Sequence, residues 1–193
     1  MIKVLKNPKT EKYYNLKNKI LSGQFPWFHQ RYTSSQTMSE KLNFYWYKKG
    51  YIAVEGYSHC FLARPDGEDK RFSRTESALS GECISVLTEI IDNNNLFDNY
   101  FFVRVAANCI HSNQGIQLSQ PHEDHEFPHH NLIVYLTNSG GETFVENESH
   151  DPKEDDTILF TGEHYMKRPI KDRRIILIAT IFSYDVKKKE EIK

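Results

Sequence analysis

Several features that would settle the class of this chain at once are scarce or missing. Cysteine is limited to Cys60, Cys83 and Cys109 among 193 residues. An odd number at wide spacing, with no CxxC pair, indicates neither a disulfide framework nor a structural zinc site, and favours a reducing compartment. Long hydrophobic runs are absent. No segment approaches the ~18 apolar residues that span a bilayer, and charge interrupts the stretch from Met1 to Thr10 before an apolar run forms. Neither sign of charge dominates: 25 basic residues face 26 acidic ones, a formal charge of -1. That balance offers no global attraction for nucleic acid or an anionic membrane, so neither is expected as a partner. No GxGxxG or P-loop spacing accompanies Gly140 and Gly141, which read as a turn between strands and not as a phosphate cradle. Repeats and low-complexity segments are lacking too.

Aromatic residues, in contrast, are plentiful at 13%, with 12 Phe and 11 Tyr. They suit a β-rich interior in which flat rings pack on pleated surfaces. The length fits one domain, 1–193, with N-terminal strands and a supporting helix in 1–99 and a strand-rich core in 100–184. A short amphipathic helix is expected from Tyr14 to Leu21, followed by an aromatic loop, Phe25 to His29, acting as a lid or plug. Leu42 to Tyr47 and Tyr51 to Leu62 read as strands around a turn at Lys48-Lys49-Gly50. Between Thr75 and Asn93 the spacing of Ile84, Leu87 and Ile91 predicts a helix packed on a sheet. Short strands follow: Tyr100 to Ala107, Asn131 to Thr137, Glu142 to Glu146, Thr157 to Phe160 and Arg174 to Phe182. The pattern is mainly β with supporting helices (α+β), a sandwich or jelly roll. The tail from Lys187 to Lys193 is expected to be frayed and solvated.

Against this background His122-Glu123-Asp124 stands out. In extended chain, side chains two apart share a face, so His122 and Asp124 reach one point while Glu123 turns away. An HxD by itself is weak, since a chain of this composition meets one by chance about half the time. Context adds weight. His164 follows after two or three strand-like runs, enough chain to cross a jelly roll and return. Two imidazoles and one carboxylate can hold one face of a metal ion and leave the other open. Arg174 then opens an apolar strand, where an unpaired charge would be costly. A carboxylate ligand would give it a partner, with a salt bridge to Asp172 as the bland alternative. Arg173 competes for the inward position, because neighbours on a strand face opposite ways, and Arg168 is a more distant third. His125, His129 and His130 crowd the motif and are expected to be loop or entrance residues, while His29, His59, His111 and His150 read as ordinary. A zinc or cupin-type site using the crowded histidines is the competing metal reading.

The run from Phe101 to Tyr184 resembles the double-stranded β-helix (jelly roll, cupin-like) core of the Fe(II)/2-oxoglutarate oxygenases, particularly small prolyl-4-hydroxylase-like and phage-encoded members. The pieces that carry the resemblance are Pro121 to Asp124, Leu132 to Leu136, Gly140 to Phe144, Asp156 to Phe160, His164 and Arg174. Phe25-Pro26-Trp27 is similar to a segment near the start of the phage group. The resemblance implies Fe(II) bound by His122, Asp124 and His164, with 2-oxoglutarate chelating the metal and paired to Arg174. It implies O2 and ascorbate in the reaction, a small-molecule or peptidyl substrate, release of succinate and CO2, and a cytoplasmic setting in a bacterium or a phage-infected host. Asn108, Tyr135 and Thr143 are further candidates for the co-substrate pocket, and Arg104 for the substrate. A tyrosine that many prolyl hydroxylases carry before the HxD strand has no counterpart here. A catalytically silent jelly roll, used for binding or assembly, is the alternative of a different class.

Overall fold

The computed structural model describes residues 1–31, 45–65, 73–113 and 115–184. The expected frayed tail and residues 42–44 of the expected first aromatic strand lie outside them. Strand β1 (Lys3–Leu5) leads to helix α1 (Glu11–Leu21) and β2 (Phe28–Gln30). Then come β3 (Tyr51–Ile52), β4 (Gly56–Ala63), β5 (Arg74–Thr75) and helix α2 (Ser80–Asn93). The remainder is β: β6 (Tyr100–His111), β7 (Leu118–Ser119), β8 (His130–Tyr135), β9 (Thr143–Val145), β10 (Glu148–His150), β11 (Thr157–Phe160), β12 (His164–Met166) and β13 (Arg173–Ser183).

A major sheet runs β1-β11-β8-β13-β6-β4-β2, with β5 beside β4, and all its pairings are antiparallel. A minor sheet, β10-β9-β12, and a parallel β3-β7 pair complete the set among the described residues. Alternation along the long strands sorts the side chains. Ile175, Leu177, Ala179 and Ile181 of β13, Leu132 and Val134 of β8, and Val105, Ala107 and Cys109 of β6 form one core with the helices. The intervening residues, Ile176 and Ile178, Ile133 and Tyr135, and Ala106, face the other way and pack with Val145 of the minor sheet. The major sheet is therefore clamped between helices on one face and the minor sheet on the other, which is the jelly-roll arrangement the strand pattern predicts.

Helix α1 starts at Thr10, whose hydroxyl accepts from the Tyr13 amide at 3.3 Å. It buries Tyr13, Leu16, Lys17 and Ile20, one helical stripe. Helix α2 buries Cys83, Val86, Leu87, Ile90 and Ile91. It begins at Ser80, later than expected, because Thr75 pairs with Leu62 and the Glu76 amide donates to the Phe61 carbonyl at 2.9 Å. Backbone groups committed to the sheet are not free for a helix.

Two expectations about the aromatic runs are corrected. Residues 45–48 are helical and not extended; amides of Lys49 and Gly50 close onto the Trp46 and Tyr47 carbonyls, and Gly50 ends the turn at φ +85. Ring packing of Trp46 on Tyr51 replaces strand pairing there. The run from Tyr51 to Leu62 is two strands and not one, broken where Val54 drops into a pocket with Ile110 and Met166. Phe25 does act as a plug, buried against Trp27, His59 and Phe61.

Lys17 is the buried cation of the helix layer, only 6% exposed. Its ammonium pairs with Glu154 at 2.6 Å and with Asp155, which also accepts from the Tyr13 hydroxyl. Burial alone would raise the Asp155 carboxyl, but the hydrogen bonds from Lys17 and Tyr13 and the Lys17 charge hold it below its usual range. Lys17→Met will cost about 2 to 3 kcal/mol, somewhat less than breaking a fully buried pair because Glu154 is half exposed. A carboxyl lowered on folding stabilises above its unfolded pKa and loses that contribution as pH falls through the folded value. The gap in urea midpoint between wild type and the variant will therefore narrow below about pH 4. An equal gap from pH 7 to pH 3 would contradict the pairing.

Candidate metal centre and co-substrate pocket

His122 and His164 face each other across an isolated antiparallel bridge, with each amide donating to the other residue's carbonyl at 3.0 Å. A directly opposed pair presents its side chains on one face, and the two ring centroids lie 4.5 Å apart. Strand β12 is held in turn by β9 (His164 opposite Val145) and by the Ser119 hydroxyl, which accepts from the Met166 amide at 2.9 Å. Both imidazoles are oriented the same way. Nδ1 of His122 donates to the Gln120 carbonyl at 3.1 Å, and Nδ1 of His164 to the Gly162 carbonyl at 3.2 Å. A proton fixed on Nδ1 leaves the Nε2 lone pair for a ligand.

Asp124 completes the group. Its Oδ2 lies 3.7 Å from His164 Nε2, beyond hydrogen-bond distance, and is buried with no hydrogen-bond partner. Burial pushes its pKa up, yet the charges of His164, His122 and Arg104 outweigh burial and hold the carboxyl below its ordinary value. Burial, reinforced by His122, pushes His164 down to about 4, so its imidazole is neutral at pH 7. Among the described residues no three such donors are closed onto one point. Ligands about 2.1 Å from one ion lie roughly 3 to 3.5 Å apart, and the 3.7 Å between Asp124 Oδ2 and His164 Nε2 is a few tenths of an ångström longer than that. An orphaned buried carboxylate oxygen beside two imidazoles that each hold Nδ1 on a carbonyl and leave Nε2 for a ligand is a donor set suited to a divalent ion. Glu123 is exposed, as strand parity predicts.

The same pocket, of about 560 Å³ with its open mouth, is lined by Arg104, Asn108, Ile110, Ser119, Ile133, Thr143, Tyr165, Met166, Arg174, Ile176 and Ile178 besides the three donors. Arg174 is 4% exposed. Its Nε donates to the Gly141 carbonyl at 3.1 Å and its Nη2 to the Thr143 hydroxyl at 2.9 Å. The Tyr135 ring lies beneath the guanidinium, 5.3 Å from centroid to Cζ, and its hydroxyl is 2.7 Å from that of Thr143. Tyr135 thus stands behind Thr143 and supports the pocket wall. Burial lowers the Arg174 pKa, with Tyr135 opposing. Among the described residues Arg174 has no carboxylate partner, and the Asp172 salt bridge does not form. Parity separates the two candidates: Arg174 shares the inward face with Ile176 and Ile178, while Arg173 is exposed and Arg168 binds the His111 carbonyl.

Gly141 owes its identity to Arg174. Its φ is +89, and a Cβ there would lie 2.8 Å from Arg174 Cδ and 3.0 Å from the Lys167 carbonyl. The glycine pair lies in the irregular connection from β8 to β9, and its second member makes room for the arginine stem, a role that spacing could not reveal. The crowded histidines divide. His125 is bonded to the Thr180 hydroxyl at 2.9 Å, and His130 opens β8 beside Ser183. His129 is not an entrance residue: it is 6% exposed, with its Nε2 buried and unpartnered. His59 is buried as well, bridging the Pro26 carbonyl and the Ser77 hydroxyl.

Fold and pocket together define a double-stranded β-helix protein with a His-Asp-His cluster and a buried arginine at the open end between its sheets. No protein-family profile matches the chain, and no curated protein matches it. Solved structures do. An oxidoreductase of the 2OG-Fe(II) oxygenase family from Burkholderia pseudomallei is similar at TM-score 0.52 and 13% identity, covering 66% of this chain and 66% of that one. The non-heme alpha-ketoglutarate-dependent epimerase SnoN from nogalamycin biosynthesis is similar at TM-score 0.53 and 10% identity, covering 94% and 77%. The viral collagen prolyl hydroxylase of Paramecium bursaria Chlorella virus-1 follows at TM-score 0.46 and 18% identity, covering 82% and 96%. The first two establish the shared fold. No helix among the described residues is long and apolar enough to cross a membrane.

Proposed function

We propose that this protein is an Fe(II)- and 2-oxoglutarate-dependent oxygenase. The observation that carries the reading is a guanidinium buried without an acidic partner among the described residues, in one pocket with an orphaned carboxylate and two imidazoles oriented alike. A buried unpaired arginine is costly, and a carboxylate ligand removes that cost. His122, Asp124 and His164 would hold Fe(II), and Arg174 the distal carboxylate of 2-oxoglutarate through its fork. Thr143 and Tyr135 fix the guanidinium, and Asn108, on the pocket wall, would face the keto acid. When bound, Fe(II) supplies O2 activation coupled to decarboxylation of 2-oxoglutarate to succinate and CO2, with hydroxylation of a substrate C-H bond. The protein's own part is to fix the donors, seat the co-substrate and present an apolar wall, Ile133, Ile176 and Ile178, that excludes water. The substrate is a small molecule or a peptidyl side chain, and ascorbate would maintain ferrous iron.

Succinate release tests the reading. Aerobic protein with Fe(II), 2-oxoglutarate and ascorbate is expected to form succinate, with loss of product on chelation by EDTA. Release that is insensitive to EDTA, or tight zinc binding without 2-oxoglutarate dependence, would overturn it. Gly141→Ala will displace Arg174 and weaken 2-oxoglutarate binding about tenfold or more, since backbone strain and the clash each cost on the order of 1 kcal/mol. Titration calorimetry of the Mn(II)-loaded protein reads this directly; an unchanged Kd would show that Arg174 does not seat the co-substrate.

A further inference from the structure

Arg104 is the second guanidinium of the pocket, and the proposed co-substrate leaves it without work. On β6 it shares the inward face with Ala106, Asn108 and Ile110, and it lies opposite Thr180 of β13. Arg174 lies opposite Ile110, at the other end of the same ladder. From Arg174 to Thr180 the strand runs about 20 Å, at about 3.3 Å per residue. The two cations therefore bracket the pocket along its length. The metal-donor cluster lies towards the Arg104 end, because His125, the neighbour of Asp124, is tied to Thr180, and Asp124 feels the Arg104 charge.

Unlike the exposed Arg74 with its Glu76 partner, Arg104 has no ion pair and no hydrogen bond among the described residues. Asp124 is the one acidic side chain among the described residues that line the pocket. With a divalent ion and a dianionic keto acid seated, the two arginines and one carboxylate leave a surplus of one positive charge. In a half-buried pocket that surplus favours an anion.

We propose that Arg104 is the anchor for an anionic group of the primary substrate, a carboxylate or a phosphate, and so selects for substrates that carry one beside the reacting carbon. This rests on the oxygenase reading but assigns a different residue and a different ligand. A planar fork matches either anion bidentately, whereas an amide or ester of the same skeleton offers no charge. The substrate would lie along the β6 side of the pocket, its charged end at Arg104 and its C-H bond towards Asp124.

Thermal-shift titration of the Mn(II)-loaded protein, with and without saturating 2-oxoglutarate, tests this assignment. The probes are benzoate, indole-3-acetate and N-acetyl-L-proline, their primary amides, and phenyl phosphate. At least one anion is expected to raise the midpoint while its amide does not, and benzoate against phenyl phosphate tells a carboxylate preference from a phosphate one. Arg104→Met will abolish the anion response, Arg104→Lys will retain part of it, and Arg174→Met will keep it while losing the response to 2-oxoglutarate. Equal responses to acids and amides, no response to any anion, or a response that survives Arg104→Met would each overturn the proposal. So would an Arg104→Met protein that loses 2-oxoglutarate affinity as severely as Arg174→Met, since Arg104 would then serve the co-substrate. Failure of 2-oxoglutarate to shift the wild-type midpoint is a separate result, which strikes the oxygenase reading itself.

Discussion

Arg174→Met will raise the 2-oxoglutarate concentration needed for half-maximal succinate release by about 30-fold or more. The basis is the cost of truncating one partner of a buried, hydrogen-bonded charge pair, about 2 to 5 kcal/mol. The guanidinium is 4% exposed and already aimed by the Gly141 carbonyl and the Thr143 hydroxyl, so little ordering remains to be done when the ligand arrives. Methionine fills much of the stem's volume, which keeps the apolar wall intact and limits the effect to charge. Arg173→Met is the control and will leave the requirement unchanged, because Arg173 is exposed on the other side of the strand. Equal effects from the two substitutions would remove Arg174 from its proposed role.

Asp124→Ala and His164→Ala will each reduce iron-dependent succinate release more than 100-fold, a larger loss than the 10- to 100-fold typical of residues that merely orient metal ligands. Among the described residues Asp124 Oδ2 has no hydrogen-bond partner, and His164 Nε2 makes no hydrogen bond, its distance to Asp124 Oδ2 being 3.7 Å. The Asp124 side chain makes no hydrogen bond among the described residues, so the apo Asp124→Ala protein will melt close to wild type, whereas His164→Ala also removes a buried ring packed on Phe160 of β11 and will melt modestly lower. Removal of the orphaned carboxylate relieves a desolvation cost. Full turnover in either variant would show that the ion is held elsewhere, and a collapse of the apo melting temperature would show a structural role instead.

Much of the site was legible because strands obey a two-residue period. That period aligned Arg104 with Asn108 on β6 and separated Arg174 from Arg173 once the core face of β13 was known; His122 and Asp124 share the pocket with Glu123 turned outward as the same alternation expects, although this segment forms only an isolated bridge at His122 and no strand. Helices α1 and α2 were visible through their apolar stripes. Short elements were missed for a physical reason: β1, β2, β5, β7, β10 and β12 have two or three residues each, too few to show a period, and exist through partners distant in sequence. Residues 45–48 misled because aromatic rings that suit a strand also pack across a helical turn. The carbonyls of Gln120 and Gly162 that orient the imidazoles carry no sequence signal, since any residue supplies one. Gly141 left a visible mark, but only the proximity of Arg174 explains why a side chain is excluded there. The burial of His129 depends on how the loop after Asp124 folds back, which local pattern does not encode.

The central claim is that His122, Asp124 and His164 bind ferrous iron together with 2-oxoglutarate seated on Arg174. The most direct measurement is visible absorption of the purified protein under anaerobic conditions, titrated first with Fe(II) and then with 2-oxoglutarate. The expected result is a weak metal-to-ligand charge-transfer band that appears only when both are present, saturates at one equivalent of iron, and is lost in Asp124→Ala. No band at saturating iron and keto acid, or an undiminished band in Asp124→Ala, would contradict it.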